Sequence, residues 1–414
     1  VSTSVGQLSS LTIIVPPANY ADTAIINCTP DGLRFCGVMT VINSSRSAGI
    51  TWDAEHGITT LPFNRPITTT ASCQGISPDG GRVLMHVTPQ GESGIRGTYY
   101  CGPPAADMSS GLTLSSGNIE VYDMSADATV VTGGIFTGAF QSGLAWDDGF
   151  VWKPFESRLI HLDTQPARMG VGARAYPDVW LNDRGLIVGD VVSRQGSSLP
   201  VIWDSEGRYQ RTLMDPDGQV ARGSAWCASR NGRIIVGTGY NAVAGGEICR
   251  WVDDGPRETV LPASSSFDLW PNAVADHGHM IIMTSQKPYT VWTQEYGLDS
   301  FNSFFARFGL AAPTGWNFYG IGCISADGSV LGGSISRVDP STQARQFRGF
   351  IARTTYHPCF ADFNQDGGVD GADIEAFFAV WASGSPDADI NQDGGVDGSD
   401  VAAFFQQWEA GGCV

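Results

Sequence analysis

The chain has 414 residues, more than one ordinary domain, and 42 Asp and Glu against 24 Lys and Arg give it a net charge of −18. The basic residues are scattered, which argues against a phosphate-tracking surface and so against nucleic acid as a partner, and no run of 18 apolar residues offers a membrane span. Nine cysteines, none in a CxxC spacing, and a start at Val1 without a Met or an apolar leader set the expectation of a secreted protein, extracellular or at the cell surface, matured where disulfides form.

In chain order, the first expected element is a strand at residues 11–15, ended by Pro16 and Pro17. A repeat follows. A turn of the form Ser-x-Asp-Gly precedes an apolar, β-branched run, as in Ser77-Pro78-Asp79-Gly80, Ser229-Arg230-Asn231-Gly232 and Ser325-Ala326-Asp327-Gly328. Related turns end at positions 32, 80, 128, 185, 232, 278 and 328, so the copies lie 46 to 57 residues apart. The Asp-Gly or Asn-Gly step supplies the positive φ of a tight hairpin, and Leu186-Ile187-Val188-Gly189 has the chemistry of the strand that follows. About 20 residues further on, most copies carry a Trp in a second strand: Trp52, Trp152, Trp203, Trp251 and Trp292. Four strands per copy and seven copies predict a mainly β chain, a seven-bladed β-propeller over residues 1–356, its last blade completed by the strand near 11–15. The last copy adds one short helix within residues 298–309.

The order Ser-x-Asp-Gly-x-x-Val-x-Gly, then a Trp strand, then Gly-x-x-x-Leu resembles the HAF-repeat family of extracellular propellers over residues 20–353. Ala128 in place of a turn Gly and Tyr99-Tyr100-Cys101 in place of a Trp depart from that pattern. No HExxH, Gly-x-Ser-x-Gly elbow or Walker loop occurs, and the repeated Asp residues are explained by turn geometry, so no catalytic residue is assigned. His277-Gly278-His279 reads as a solvated turn rather than a metal site. Cys227 with Cys249, Cys73 with Cys101 and Cys28 with Cys36 are candidate disulfides within repeats, with connectivity left open and Cys323 left over.

The final element, residues 357–414, carries 11 acidic residues and no Lys or Arg. Within it Asp362-Phe363-Asn364-Gln365-Asp366-Gly367-Gly368-Val369-Asp370-Gly371-Ala372-Asp373 recurs as Asp389-Ile390-Asn391-Gln392-Asp393-Gly394-Gly395-Val396-Asp397-Gly398-Ser399-Asp400. Both place oxygen side chains at positions 1, 3, 5, 9 and 12, Gly at 6 and a backbone carbonyl at 7, the donor set of an EF-hand-type calcium loop. The expected ligands are Asp362, Asn364, Asp366, Gly368, Asp370 and Asp373 for one calcium ion and Asp389, Asn391, Asp393, Gly395, Asp397 and Asp400 for a second. Each loop runs into one apolar helix, expected at 374–381 and 401–408, with no helix on the entering side. Loop-then-helix, twice, resembles a type I dockerin, and Gly411-Gly412-Cys413 resembles the ending of dockerin-like tails of secreted planctomycete proteins. Cys359 and Cys413 bracket the module and are expected to pair.

Crowded carboxylates repel without cations, so calcium is expected to be structural in this small unit. The resemblance implies a protein partner, either a cohesin-like domain or, in a sharper version, the propeller of a neighbouring copy, which gives a homo-oligomer or filament if the rotation does not close. The propeller face is a candidate for a glycan. The sequence favours a non-catalytic structural or adhesive protein over the alternative, a glycan hydrolase or lyase on a propeller scaffold.

Overall fold

The computed structural model describes residues 9–42, 44, 46–61, 70–88, 97–101, 110–113, 118–125, 127, 129–136, 148–156, 158–164, 174–176, 185–192, 198–241, 245–253, 255–262, 269–276, 278–285, 290–356, 360–364, 369–385, 388, 390 and 395–409. The chain divides into two compact units, Val1–Thr355 and Tyr356–Val414.

In the first unit β1 (Ser10–Ile14) precedes a series of antiparallel groups of four strands. The first two are β2 (Tyr20–Cys28), β3 (Arg34–Val41), β4 (Ser47–Asp53) and β5 (Gly57–Thr60), then β6 (Thr70–Ile76), β7 (Val83–Thr88), β8 (Gly97–Cys101) and β9 (Ser110–Thr113). Next come β10 (Asn118–Met124), β11 (Val131–Phe136), β12 (Asp148–Lys153) and β13 (Arg158–His161), and β14 (Arg174–Tyr176), β15 (Ile187–Val192), β16 (Ser198–Trp203) and β17 (Tyr209–Thr212). The series continues with β18 (Gly223–Ala228), β19 (Ile234–Asn241), β20 (Gly245–Val252) and β21 (Glu258–Leu261), and with β22 (Leu269–Val274), β23 (Met280–Ser285), β24 (Thr290–Thr293) and β25 (Gly297–Ser300). Only β26 (Asn317–Ile324), β27 (Val330–Val338) and β28 (Arg345–Arg353) remain for the last sheet, whose fourth strand is β1, paired antiparallel to β28 from Ser10↔Arg353 to Ile14↔Gly349.

Each group packs on the next, β2 on β6, β6 on β10, β12 on β14, β15 on β18, β18 on β22 and β22 on β26, and β26 against β2 brings the end of the series back to its start: a β-propeller. Six hydrogen-bonded sheets are present among the described residues, against seven repeats in the sequence, because one parallel bridge, Ser47↔Thr70, joins the first two groups into an eight-stranded sheet.

The repeated turns account for the repeated acids. Ser77 donates its hydroxyl to Asp79 Oδ1 at 2.6 Å while the Gly81 N–H donates to the same oxygen, and Gly80 closes the turn at φ +66°. Asp79 is held below the usual carboxylate range by that Ser77 hydroxyl and then by the Gly81 amide. Ser125 with Asp127, Ser229 with Asn231 and Ser325 with Asp327 repeat the side-chain bond.

Between sheets lies the core. Trp203 and Trp251 are fully buried, and their indole N–H groups donate to the carbonyls of Asp163 and Met214, each in the connection that leads from the preceding sheet into the sheet carrying that Trp. Burying such a ring is worth about 2–3 kcal/mol, provided its N–H finds a partner. α1 (Phe301–Arg307), capped by Ser300, buries Phe301, Phe304 and Phe305.

The candidate disulfides within repeats do not form: Cys28, Cys36, Cys73, Cys227, Cys249 and Cys323 are buried free thiols. Cys227 on β18 and Cys249 on β20 have β19 between them, and Cys73 on β6 and Cys101 on β8 have β7 between them. Two strand spacings, about 9–10 Å, exceed what a disulfide can bridge. Cys28 pairs with Phe35 across the ladder, and Cys36, the residue after Phe35, points to the opposite face of the sheet.

In the second unit α2 (Gly371–Ala382) and α3 (Gly398–Glu409) enclose a small core of Phe360, Phe377, Ala388, Ile390 and Phe404. Both helices start three residues before the apolar runs that announced them. The extra turn comes from capping at the N-terminus of α2: the Asp370 carboxylate accepts the Ala372 N–H, and the Asp373 carboxylate reaches back to the Asp370 N–H. Cys359 and Cys413 lie outside the described residues.

Candidate functional site

Of the twelve expected ligands, Asp362, Asn364, Asp370, Asp373, Gly395, Asp397 and Asp400 are described; Asp366, Gly368, Asp389, Asn391 and Asp393 lie outside the described residues. The twelfth residue of each loop is fully buried: Asp373 and Asp400 are both 0% exposed. Asp373 Oδ1 accepts the Asn364 N–H at 3.1 Å and its Oδ2 accepts the Asp370 N–H at 2.8 Å, so one carboxylate ties positions 3 and 9 of its loop together. Asp400 Oδ2 accepts the Asp397 N–H at 2.8 Å in the same way. A carboxylate this far from water has to be matched by donors or by a cation. The ninth residues, Asp370 and Asp397, are exposed; Asp397 is held below its ordinary range by the Ser399 hydroxyl and then the Ser399 amide. Hard oxygen donors suit calcium rather than a soft transition metal. No group of three His, Cys, Asp or Glu residues poised for a metal occurs among the described residues.

The two halves are locked to each other reciprocally. Trp381 of α2 donates its indole N–H to the Asp397 carbonyl in the second loop at 2.9 Å, and Trp408 of α3 donates to the Asp370 carbonyl in the first at 3.4 Å. Phe377 and Phe404 stack between the helices, with ring centroids 4.3 Å apart and planes 2° from parallel. Phe378 is 37% exposed and Phe405 lies 6.2 Å from it, so part of the aromatic stripe faces solvent. The sequence signal for this reciprocity is that each tryptophan stands at the same place in its repeat.

In the propeller, the turns that end the first strands meet around the axis. The Ala326 N–H donates to the Pro30 carbonyl, the Asp276 N–H to the Ala326 carbonyl, and Arg230 reaches the Cys28 carbonyl at 2.9 Å. A space of about 20 Å³ lies beside them, lined by Asn27, Arg230 and Asp276 among others, and among the described residues Asp276 is the only acid on its wall. A larger cavity of about 320 Å³ lies on the last sheet, with Asn302, Asn317, Tyr319, Arg337 and Arg345 on its wall. Arg337 and Arg348 stand over the Trp316 ring at 4.8 and 5.6 Å, and Arg345 over Tyr319 at 5.2 Å. The sequence reading missed this cluster, although four arginines between 337 and 353 stand out in so acidic a chain.

No helix among the described residues is long and apolar enough to cross a membrane. No family model and no curated protein matches the chain. Among solved structures it is similar to the β-propeller domain of Cps50 (Swd1) from Myceliophteria thermophila, at TM-score 0.51 and 12% identity, covering 84% of this chain and 100% of that one. It is equally similar to the β-propeller domain of the Trilobed protease from Pyrococcus furiosus, at TM-score 0.51 and 12% identity, covering 83% of this chain and 98% of that one. Likeness at this level of identity carries the fold alone.

Proposed function

We propose that this is a secreted, non-catalytic structural or adhesive protein. In this reading a HAF-repeat-like propeller of seven blades is carried by a dockerin-like module that two calcium ions fold into an attachment device. The observation that carries it is the duplicated loop and helix with a fully buried Asp373 and Asp400 at equivalent positions. Calcium, bound through Asp362, Asn364, Asp366, Gly368, Asp370 and Asp373 and through the matching six of the second loop, would neutralise carboxylates that otherwise repel. Seven blades is supported by the number of four-strand groups, two of which share a sheet through one bridge.

The partner is a protein, a cohesin-like domain or a neighbouring copy of this chain. Contact between unlike surfaces of successive copies gives an open filament unless the rotation closes. The arginine and aromatic cavity of the last sheet is the proposed glycan surface, since an aromatic face and a cationic fork suit a sugar bearing carboxylates. A hydrolase or lyase calls for a pair of acids, and among the described residues the small space beside the axial turns has Asp276 alone on its wall.

The test is calcium titration of the full chain, followed by circular dichroism, light scattering and electron microscopy. Gain of helix signal with calcium and its reversal by a chelator support the folded-attachment reading, and fibres that dissolve in chelator support the filament. A helix signal indifferent to calcium would sink the metal reading, and a strict monomer in calcium would sink self-assembly and leave the cohesin-like partner.

A further inference from the structure

The cysteines that fail to pair within one four-strand group meet between groups. Cys28 ends β2 and Cys323 lies on β26; both belong to one buried cluster with Ile14, Ile25, Phe35, Val330 and Ile351. The two strands nearly touch there, since a Cβ built on Gly322 would fall 2.6 Å from the Ile25 carbonyl oxygen. Cys323, the next residue, thus shares its buried surroundings with Cys28 across the junction of the two strands. Cys36 on β3 and Cys73 on β6 share a second buried cluster with Ile76, Val83 and Met85. Their four-strand groups approach closely enough for the Ser47↔Thr70 backbone bridge, and the Cys73 thiol donates to the Ile50 carbonyl at 3.4 Å.

We propose that Cys28 with Cys323 and Cys36 with Cys73, free thiols in this structure, are joined by oxidation into disulfides that fasten the first four-strand group to its neighbours on both sides, the former at the junction where the propeller closes. This rests on the reading that the chain matures in an oxidising compartment. Each bond joins two Sγ atoms and releases two protons and two electrons. The electrons pass to a small-molecule disulfide such as oxidised glutathione, whose S–S bond breaks to yield two thiols. In the folded chain burial first, and then the neighbouring thiol, push Cys36 and Cys323 up and keep them protonated and unreactive. Bond formation therefore belongs to folding, before these clusters are sealed, and the finished bonds are shielded from reductant.

The experiment refolds the full chain in a buffer of oxidised and reduced glutathione, blocks residual thiols under denaturing conditions, and maps tryptic peptides by mass spectrometry without reduction. Trypsin cuts after Arg34 and so separates Cys28 from Cys36, while Arg82, Arg307 and Arg337 bound the Cys73 and Cys323 peptides. The expected result is a cross-link from residues 1–34 to 308–337 and another from 35–46 to 47–82, both lost on reduction. Reduction should also lower Tm by about 4–8 °C. Because a Ser substitution could itself disturb the core, the pair Cys28→Ser with Cys323→Ser is read by the difference between oxidised and reduced Tm, which should shrink. Links of Cys28 to Cys36 or of Cys73 to Cys101, or full blocking of all four thiols after oxidative refolding, would overturn the pairing. Since refolding in glutathione needs no secretion, failure here would be distinguishable from failure of the extracellular reading.

Discussion

Replacing Phe377 by Ala tests whether the C-terminal unit is held by a small core that calcium supplements. Phe377 is 0% exposed, stacks on Phe404 at 4.3 Å and meets Phe363 edge to face at 5.5 Å. Truncating such a ring costs about 3–5 kcal/mol, the lost transfer energy plus a cavity that neighbours only partly fill. A unit of under 60 residues has a core worth only about 3–5 kcal/mol in total, so the truncation removes essentially all of it. Free calcium at about 100 times its dissociation constant returns about 2.7 kcal/mol per site, or about 5 for two. The variant should therefore lose amide protection throughout α2 and α3 in chelator and regain most of it in saturating calcium, while the propeller strands exchange as in the parent. Hydrogen exchange followed by mass spectrometry on the full chain reads both units at once. Unchanged protection of α2 and α3 in chelator would refute the energetic argument, and no recovery in calcium would refute the coupling of metal to fold.

Asp373→Asn removes a buried charge that ties two loop positions together, and should weaken calcium binding about ten- to a hundredfold by isothermal titration calorimetry. His86 is buried, accepts the Val121 N–H at 2.7 Å, and has its pKa lowered by burial from 6.5 to about 4. The unfolded chain binds that proton first as pH falls, so the contribution is complete above about pH 6.5 and lost on the way down to about pH 4, a total of about 3 kcal/mol. Thermal melts against pH should show this slope, and His86→Gln should flatten it relative to the parent. Trp203→Phe leaves the half-buried Asp163 carbonyl without its indole donor and should cost the propeller about 1 kcal/mol by denaturant unfolding. Gly278→Ala forces a side chain into φ +68° with three Ile234 carbons at 3.2 Å, and should lower propeller stability by about 1–2 kcal/mol in the same measurement.

Local chemistry was legible along the chain. Asp-Gly turns followed by β-branched runs announced hairpins because a positive φ and strand propensity are properties of a few adjacent residues, and Gly32, Gly80, Gly185, Gly232, Gly278 and Gly328 all take that conformation. The Trp strands were legible too: Trp52, Trp152, Trp203, Trp251 and Trp292 all stand in strands. The duplicated acidic loops were visible as a pattern, and their helices were placed to within one turn because capping by Asp370 extends α2 beyond its apolar stripe.

What the sequence could not reveal was which residues face each other across the gap between elements. A period marks where one repeat ends, and it led to pairing cysteines within a repeat. In the folded chain an intervening strand or the opposite sheet face keeps those partners apart, and the near neighbours of Cys28 and Cys36 come from other four-strand groups. The same holds for Trp381 and Trp408, whose partners lie in the opposite loop, and for Arg230, which reaches a carbonyl 202 residues away. The backbone settles what one strand or turn will be from adjacent side chains. Contacts between strands of different sheets depend on how the ring closes, and closure is a property of the whole chain.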